Sequence, residues 1–461
     1  VTFGWINWQL KDAYGATYTA DHVQNNTPWN KNSNQIYMEY DGDITPKIST
    51  STLVLYRENR QWGQWAEAIP DGEYSYISYT NWNSMNNSWL FKPNFNAEIS
   101  DKISISGGMK YERKELTKNY DIPGYWDAYS TVGEFDGVGH STDTTYVRPP
   151  MPSHEMPSDN LILTEDLGGF VQGILDVRPF RFNMGIRYDE NSVYGSSVNP
   201  RLSAIYKFSE NNGALKLLYG EAFQEPAPIQ LWGGWTGRNT NPDLEPEKVR
   251  NLECIAMIQT GKILHDLSVY YAKYENVIKE EAENAGKRDI YGVEYRSKFT
   301  FPNFIPKSDD ISGYLNYTFT DATSSIHYNH DAAEWEDGDT ELGDIAPHKI
   351  NMGLNVPIQN KFNVNLRGNY VSNRLVYTRN ALRAEDYEID SYFVLNGNIN
   401  YNIGKFSLSA KVKNILDEEY FHPGIEQAEG GNDFSKRSTG FRNSLVPQEG
   451  RSYYVSLGLE L

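Results

Sequence analysis

The stretch GRSYYVSLGLEL (450–461) decides the fold. Tyr453, Val455, Leu457, Leu459 and Leu461 fall on one side of an extended chain, and Ser452, Tyr454, Ser456, Gly458 and Glu460 on the other. That is the period-two pattern of a β-strand. A strand with a greasy face and a free edge is an aggregation hazard in water, so it needs neighbours along its edge and something apolar over its face. The pattern recurs upstream. KFSLSAKVKN (405–414) sets Phe406, Leu408, Ala410 and Val412 against Ser407, Ser409, Lys411 and Lys413. KINMGLNVPI (349–358), KFNVNLRGNY (361–370), YFVLNGNINYNI (392–403) and ISGYLNYTFT (311–320) alternate in the same way. Each runs for about 10 residues, the length a tilted strand needs to cross hydrocarbon.

The connectors alternate in size. Short turns stand at TPK (45–47), SDK (100–102), RP (178–179), SENNG (209–213), TGK (260–262), QNK (359–361) and GK (404–405). Long polar stretches lie between them, over 11–33, 60–86, 115–165, 224–246, 277–288, 323–346, 373–389 and 417–449. Short turns on one side and long loops on the other fit an outer-membrane barrel. This bookkeeping gives about 18 strands. EYSYISYTNW (73–82) is read as β-structure within a loop, because counting it would reverse the side of every later turn. The fold class is therefore all-β, a transmembrane antiparallel β-barrel. The last strand is expected to pair back to the first strand of a closed sheet, with its apolar side chains toward lipid.

Composition agrees. The 461 residues are only 39% hydrophobic yet 14% aromatic, with 33 Tyr and 11 Trp, an apolar deficit for a soluble domain of this size. No run of about 18 apolar residues is present, which excludes transmembrane helices but not strands. A net charge of −19 argues against nucleic acid as a partner. The single Cys254 allows neither an internal disulfide nor a cysteine metal site. A β-propeller would repeat every 40–50 residues or so, and no such repeat is present. The chain opens at Val1 rather than Met, which reads as a mature or partial chain.

Several segments resemble TonB-dependent outer-membrane receptors. GIRYDENSVYGSSVNPRLSAIYKF (185–208), and LYGEAFQEPAP (218–228) followed by NPDLEPEK (241–248), are the most family-like. YGVEYRSKF (291–299), LNYTFTDAT (315–323), APHKINMGLN (346–355), VKNILDEEYFHPG (412–424) and the closing strand follow in the family's order. The resemblance covers 160–461 well and the first third weakly. It implies a barrel of about 22 strands with a plugged lumen, and a plug domain through which the periplasmic TonB complex acts. This sequence has neither a TonB box nor a Gly-rich plug, and it has room for about four strands fewer. The plug and first strands are thus expected to lie outside it, and the sheet to close only with residues supplied from elsewhere.

The resemblance further implies a Gram-negative outer-membrane active transporter for a scarce nutrient, a ferric siderophore or other iron complex being favoured. Lipopolysaccharide or outer-membrane lipid would surround it, and a surface lipoprotein or another envelope partner could cap it. Neither an enzyme nor a resident cofactor is expected, since no His box or phosphate loop is present. A passive porin of about 18 strands and a receptor-like scaffold in an envelope complex are the alternatives.

Extracellular loops that grip a small-molecule ligand need aromatic area and donors for an anion. The residues that fit are Trp232, Trp235 and Arg238 after FQEP, Tyr125 and Trp126 in the longest loop, Arg374 and Arg379 with Arg383, and Arg437 and Arg442 with Lys436. The plainer readings are loop packing or membrane-interface girdles for the aromatics, as for Trp5 and Tyr56, and lipopolysaccharide phosphates or solvation for the arginines. DAAEWEDGDTELGD (331–344) is dense in oxygen ligands that would suit Ca²⁺, but it lacks the EF-hand spacing and reads as a solvated acidic loop. No His lies in 227–240, which counts against haem, although His140 and His154 stand in the longest loop.

Overall fold

A computed structural model describes residues 1–14, 28–71, 74–117, 121–125, 161–208, 212–227, 230–231, 241–279, 282–302, 310–332, 334–359, 361–385, 387–424 and 445–459. The strands follow one another in antiparallel pairs. First come β1 (Thr2–Tyr14), β2 (Pro28–Thr45), β3 (Ile48–Asp71), β4 (Tyr74–Ser100), β5 (Ile103–Thr117) and the short β6 (Asp121–Tyr125). Then come β7 (Leu161–Val177), β8 (Phe180–Asn191), β9 (Gly195–Phe208), β10 (Gly213–Gln224), β11 (Glu247–Thr260) and β12 (Ile263–Lys279). β13 (Glu283–Phe301), β14 (Ile311–Asn329), β15 (Glu334–Glu341), β16 (His348–Ile358) and β17 (Phe362–Val371) continue the sheet. A loop layer holds β18 (Arg374–Leu375), a 3-10 turn (Ala381–Glu385) and β19 (Glu388–Ile389). β20 (Tyr392–Ile403), β21 (Phe406–Lys413), the small β22 (Phe421–Pro423) and β23 (Leu445–Pro447), and β24 (Ser452–Leu459) complete the order.

One sheet contains 20 of these strands. Setting aside β6 and β15, which only extend the loop end, leaves 18, the number the turn pattern predicts. Among the described residues β1 pairs only with β2 and β24 only with β21. The expected pairing of the last strand onto the first is not made, and the sheet keeps two open edges. Val455 and Leu457 on β24 stay 75% and 73% exposed.

Alternation sorts the wall into two faces. On β16 Met352 and Leu354 point outward, and Asn351, Gly353 and Asn355 inward. On β5 Met109 and Tyr111 are outward and exposed, while Lys110, Glu112 and Lys114 face the lumen. The outward face has two aromatic or aliphatic levels. Tyr56, Tyr111, Tyr188, Tyr271 and Tyr291 each stand eight residues along their strand from Ile48, Ile103, Phe180, Ile263 and Phe299 at the short-turn end. Above this upper level the tyrosine hydroxyls donate to carboxylates, Tyr111 to Glu165 at 2.9 Å and Tyr188 to Glu190 at 3.0 Å, with Tyr219–Glu221 and Tyr271–Asp289 paired likewise.

Two of the expected long loops are instead strand. β3 and β4 stay in register without a break from Ile48↔Ala97 to Asp71↔Tyr74, so 60–71 and 74–86 pair as a tall hairpin and 74–82 is the outer end of β4. β12 and β13 also run on to Lys279↔Glu283, through register shifts between Tyr274 and Ile278. Beyond the hydrocarbon neither face must be apolar, but the backbone ladder still satisfies its own polar groups.

Among the described residues two buried apolar clusters lie not in a central core but at the loop end. Leu231, Leu244 and Ala282 form one, with Val193 and Ile278 against them. Val376, Ile389 and Leu445 form the other, packed by Leu382, Tyr387 and Phe421. This second cluster fastens β18–β19 to β22–β23. A close backbone approach holds the same layer to the β14–β15 hairpin: a Cβ on Gly343 would stand 2.1 Å from the Val376 carbonyl oxygen, and Asp344 N donates to Leu375 O at 2.8 Å.

Candidate functional site

The inner wall at the loop end carries two constellations. The first grows from KYERKEL (110–116). Alternation puts Lys110, Glu112 and Lys114 on the lumen face of β5, and register sets Glu112 opposite Asp166 and Asp166 opposite Asn191. Lys114 Nζ lies 2.6 Å from Asp166 Oδ2, 3.6 Å from Glu225 and 3.8 Å from Glu112. Lys110 Nζ lies 2.9 Å from Glu112. Asn191 Nδ2 donates to Asp166 Oδ1 at 2.5 Å, and Tyr194 OH reaches the same oxygen at 3.4 Å. Burial, the hydrogen bond to Glu225 and the nearby carboxylates push the Tyr194 phenol far above its ordinary value, so it stays a donor. Three carboxylates face two ammoniums, leaving one net negative charge. Glu225 directly follows β10, so the network ties the root of the 225–246 loop to the wall.

The second constellation is a cavity of about 500 Å³ on the inner side of β16, β17, β20 and β21, within the usual range for a ligand site. Asparagines pave the wall in rows. Asn316, Asn351 and Asn369 stand abreast across β14, β16 and β17, and Asn396, Asn398 and Asn400 occupy alternate positions on β20. Above them Tyr392 and Tyr420 lie with ring centroids 4.5 Å apart, and Tyr392 OH meets His422 Nε2 at 3.3 Å.

Arg374 stands behind this aromatic wall, 6% exposed, its guanidinium 6.0 Å from the Tyr392 ring. Its Nη2 makes one long bond to Phe421 O at 3.5 Å, and its Nη1 is buried with no partner. Burial holds this guanidinium below its ordinary value, yet it remains charged. Burial, then the Arg374 charge, hold His422 below its ordinary 6.5, so it is neutral at pH 7. On the rim Lys413 and Glu449 pair at 3.0 Å. Hydrogen bonds from Ser452, Lys413 and Tyr454 lower the Glu449 carboxyl to about 2. Lys349 and Lys413 against Glu449 leave one net positive charge in the cavity lining, and behind it the Arg374 charge faces Asp344. Amides, paired aromatic rings and surplus positive charge suit a polar, planar, anionic ligand.

The sequence candidates are distributed unevenly over this geometry. Trp126, Trp232, Trp235, Arg238, Arg437 and Arg442 lie outside the described residues, as do His140 and His154. Tyr125 is the last residue of β6, its backbone opposite Thr80. Arg374, Arg379 and Arg383 do not form one basic patch. Arg374 is buried beside Tyr392, Arg379 lies 5.1 Å from the Tyr328 ring, and Arg383 donates to Val376 O, Thr340 Oγ1 and Glu341 O. Tyr392, Tyr420, His422 and the asparagine rows were not among the candidates. The signal for the rows was present as Asn at every second position of NGNINYN (396–402). The acidic segment 331–344 folds in part into β15, whose alternation sends neighbouring carboxylates to opposite faces. Among the described residues no group of three or more His, Cys, Asp or Glu side chains is placed so that it could hold a metal ion.

The family model for the β-barrel of TonB-dependent receptor-like proteins matches residues 1–415. The vitamin B12 transporter BtuB of Vibrio cholerae is 23% identical over 282 residues, which is 60% of this chain and 39% of that protein. Among solved structures, the outer-membrane transporter YddB from Escherichia coli superposes with a TM-score of 0.64 at 10% identity, over 99% of this chain and 66% of that one. The ferric-catecholate import receptor Fiu from E. coli K12 gives 0.62 at 14% identity, over 97% and 65%. The unliganded ferric citrate transporter FecA also gives 0.62 at 14%, over 94% and 62%. The chain thus spans well under half of the curated relative and just under two thirds of the solved ones. The all-β wall, the alternation of short turns with a loop layer, and a family match over nine tenths of its length lead to one conclusion: this chain belongs to the TonB-dependent receptors, as their β-barrel.

Proposed function

We propose that this chain forms the barrel wall of an outer-membrane active transporter that captures a scarce nutrient, with an iron complex such as a ferric siderophore as the ligand class. The observation that carries the reading is the cavity at Tyr392, Tyr420 and His422, with its amide floor and the surplus of one positive charge in its lining. An anionic chelate with planar groups finds there stacking area, hydrogen-bond partners and charge. The ferric citrate and ferric-catecholate proteins support it through the shared fold.

In this reading residues 1–461 are barrel, and a plug domain outside them links the ligand to the TonB complex. Strands from the same missing portion pair with the open edges of β1 and β24. Trp126, Tyr125, Trp232, Trp235, Arg238, Arg437 and Arg442 remain candidates for first capture by the loops. Lipopolysaccharide surrounds the wall, and a surface lipoprotein can cover the loop layer. Uptake of vitamin B12 is the second reading, supported by the similarity to the Vibrio protein.

The test is uptake by cells that carry or lack the gene, with TonB intact or deleted. Radioactive iron presented as citrate, catecholate and hydroxamate complexes would be compared with labelled vitamin B12. TonB-dependent uptake of one iron complex, reduced by Arg374→Gln, is expected. Uptake of B12 alone would move the ligand class to the second reading, and uptake independent of TonB would overturn active transport.

A further inference from the structure

A second, smaller cavity lies away from the one described above, at the top of β12–β15. We propose that it is a binding site for a single small inorganic anion of the halide class, which fastens the β14–β15 hairpin and the 376–378 segment to the wall. Its volume is about 50 Å³, and Arg288, Ser324, Ile326, Trp335, Thr340 and Thr378 are among its lining. That is room for a few waters or one small ion.

Register builds the site. Arg288 stands opposite Ser324, and Ser324 opposite Thr340, so the three lie abreast on the inner face. Trp335 joins them on the facing strand, opposite Tyr328. Two N–H donors of this lining, Arg288 Nε and Trp335 Nε1, are buried and have no hydrogen-bond partner. Leaving such donors unpaired is costly. Arg288 forms no ion pair among the described residues, while the other nearby cations are engaged: Lys279 with Glu283 at 3.0 Å, and Arg383 with Thr340 Oγ1 and Glu341 O.

Water is the competing occupant. A water that accepts from both donors must place its own two hydrogens. The hydroxyl oxygens of the lining each already accept one bond, Thr340 from Arg383 at 3.1 Å, Ser324 from Ile326 N at 3.4 Å and Thr378 from Tyr328 N at 2.9 Å, so a water would have to share their second lone pairs. An anion asks only for donors and positive charge, which Arg288 Nε and Trp335 Nε1 supply. β15 is acidic, and Glu341 belongs to the lining, where it sets one negative charge against Lys279 and Arg288. A surplus of one positive charge remains, and the Glu341 and Asp337 residues are exposed.

The test uses the whole protein and bromide as the probe. Crystals grown in bromide should show one anomalous peak within hydrogen-bond distance of Arg288 Nε and Trp335 Nε1. Trp335→Phe keeps the ring, removes one donor and should lose the peak. In parallel, amide exchange of 334–341 is compared in chloride and in gluconate at equal ionic strength. Exchange should be about tenfold slower in chloride, and Trp335→Phe should abolish the difference. A cavity holding only water in bromide would overturn the proposal. A bromide peak with equal exchange in the two salts would mean an adventitious ion only, and would overturn it too.

Discussion

Replacing Lys114 by Met tests the charge network most directly. Lys114 lies within 4 Å of three carboxylates, at 2.6, 3.6 and 3.8 Å. Without it, Glu112, Asp166 and Glu225 share only Lys110, and the local charge goes from −1 to −2. One contact at such a distance is worth about 4 kcal/mol of gross Coulomb energy in a partly wet site. Desolvation of the ammonium offsets much of the sum. The side chains of Lys114 and Asp166 are 20% and 8% exposed, so the loss should sit near the lower limit for breaking a buried pair, about 3 kcal/mol. The damage should be local, because the strand ladders below are untouched. Hydrogen exchange should therefore speed up by roughly a hundredfold at 112–117, 161–167 and 190–196, with the lower wall unchanged. Lys114→Met with Asp166→Asn removes the stranded charge and should recover most of the protection. Unchanged exchange in the single variant, or no recovery in the double, would refute the network as a fastening of the mouth.

Gly343→Ala should push the β14–β15 hairpin off the 375–377 segment, since its Cβ meets backbone rather than a flexible side chain. The cost is about 1–3 kcal/mol, read as faster exchange at 340–345 and 374–378. His422 is held below its ordinary 6.5, so the docked loop binds a proton less readily than the undocked one. Docking is then whole above pH 6.5 and weakens as pH falls below it. Exchange at 421–422 and 445–446, corrected for intrinsic rate, should rise between pH 7.5 and 5.5 in the native protein and stay flat in His422→Gln. The Glu449 carboxyl, depressed to about 2, contributes fully above its ordinary 4.5 and loses that contribution as pH falls to about 2. Carboxyl NMR should place its midpoint there, and Lys413→Met should raise it.

The wall was legible because a lipid-facing strand must alternate. Ile350, Met352 and Leu354, or Phe406, Leu408 and Ala410, carry that alternation in plain view. So do tight turns such as Gly404–Lys405 and Gly261–Lys262. The upper hairpins were not legible, because above the hydrocarbon the ladder of β3 and β4 continues while the apolar face that marks a strand disappears. The site was the least legible part. Lys114, Asp166, Asn191 and Glu225 meet only through the register of four strands. Tyr392 finds Tyr420 and His422 across an intervening hairpin. Arg374, Arg379 and Arg383 look like one basic surface in the sequence, but the 3-10 turn and two short strands send them to three different partners.

The eight-residue interval between the two outward levels fixes a length. At about 3.3 Å per residue and a strand tilt near 40°, it spans roughly 20 Å along the membrane normal. Bilayers of ordinary thickness, with about 30 Å of hydrocarbon, exceed that by several ångströms on each side. The lipid next to this wall must then compress, at a fraction of a kcal/mol for each ångström. The bacterial outer membrane is thinner than average, so the wall itself discriminates among membranes, and refolding should proceed best into vesicles of short-chain lipid.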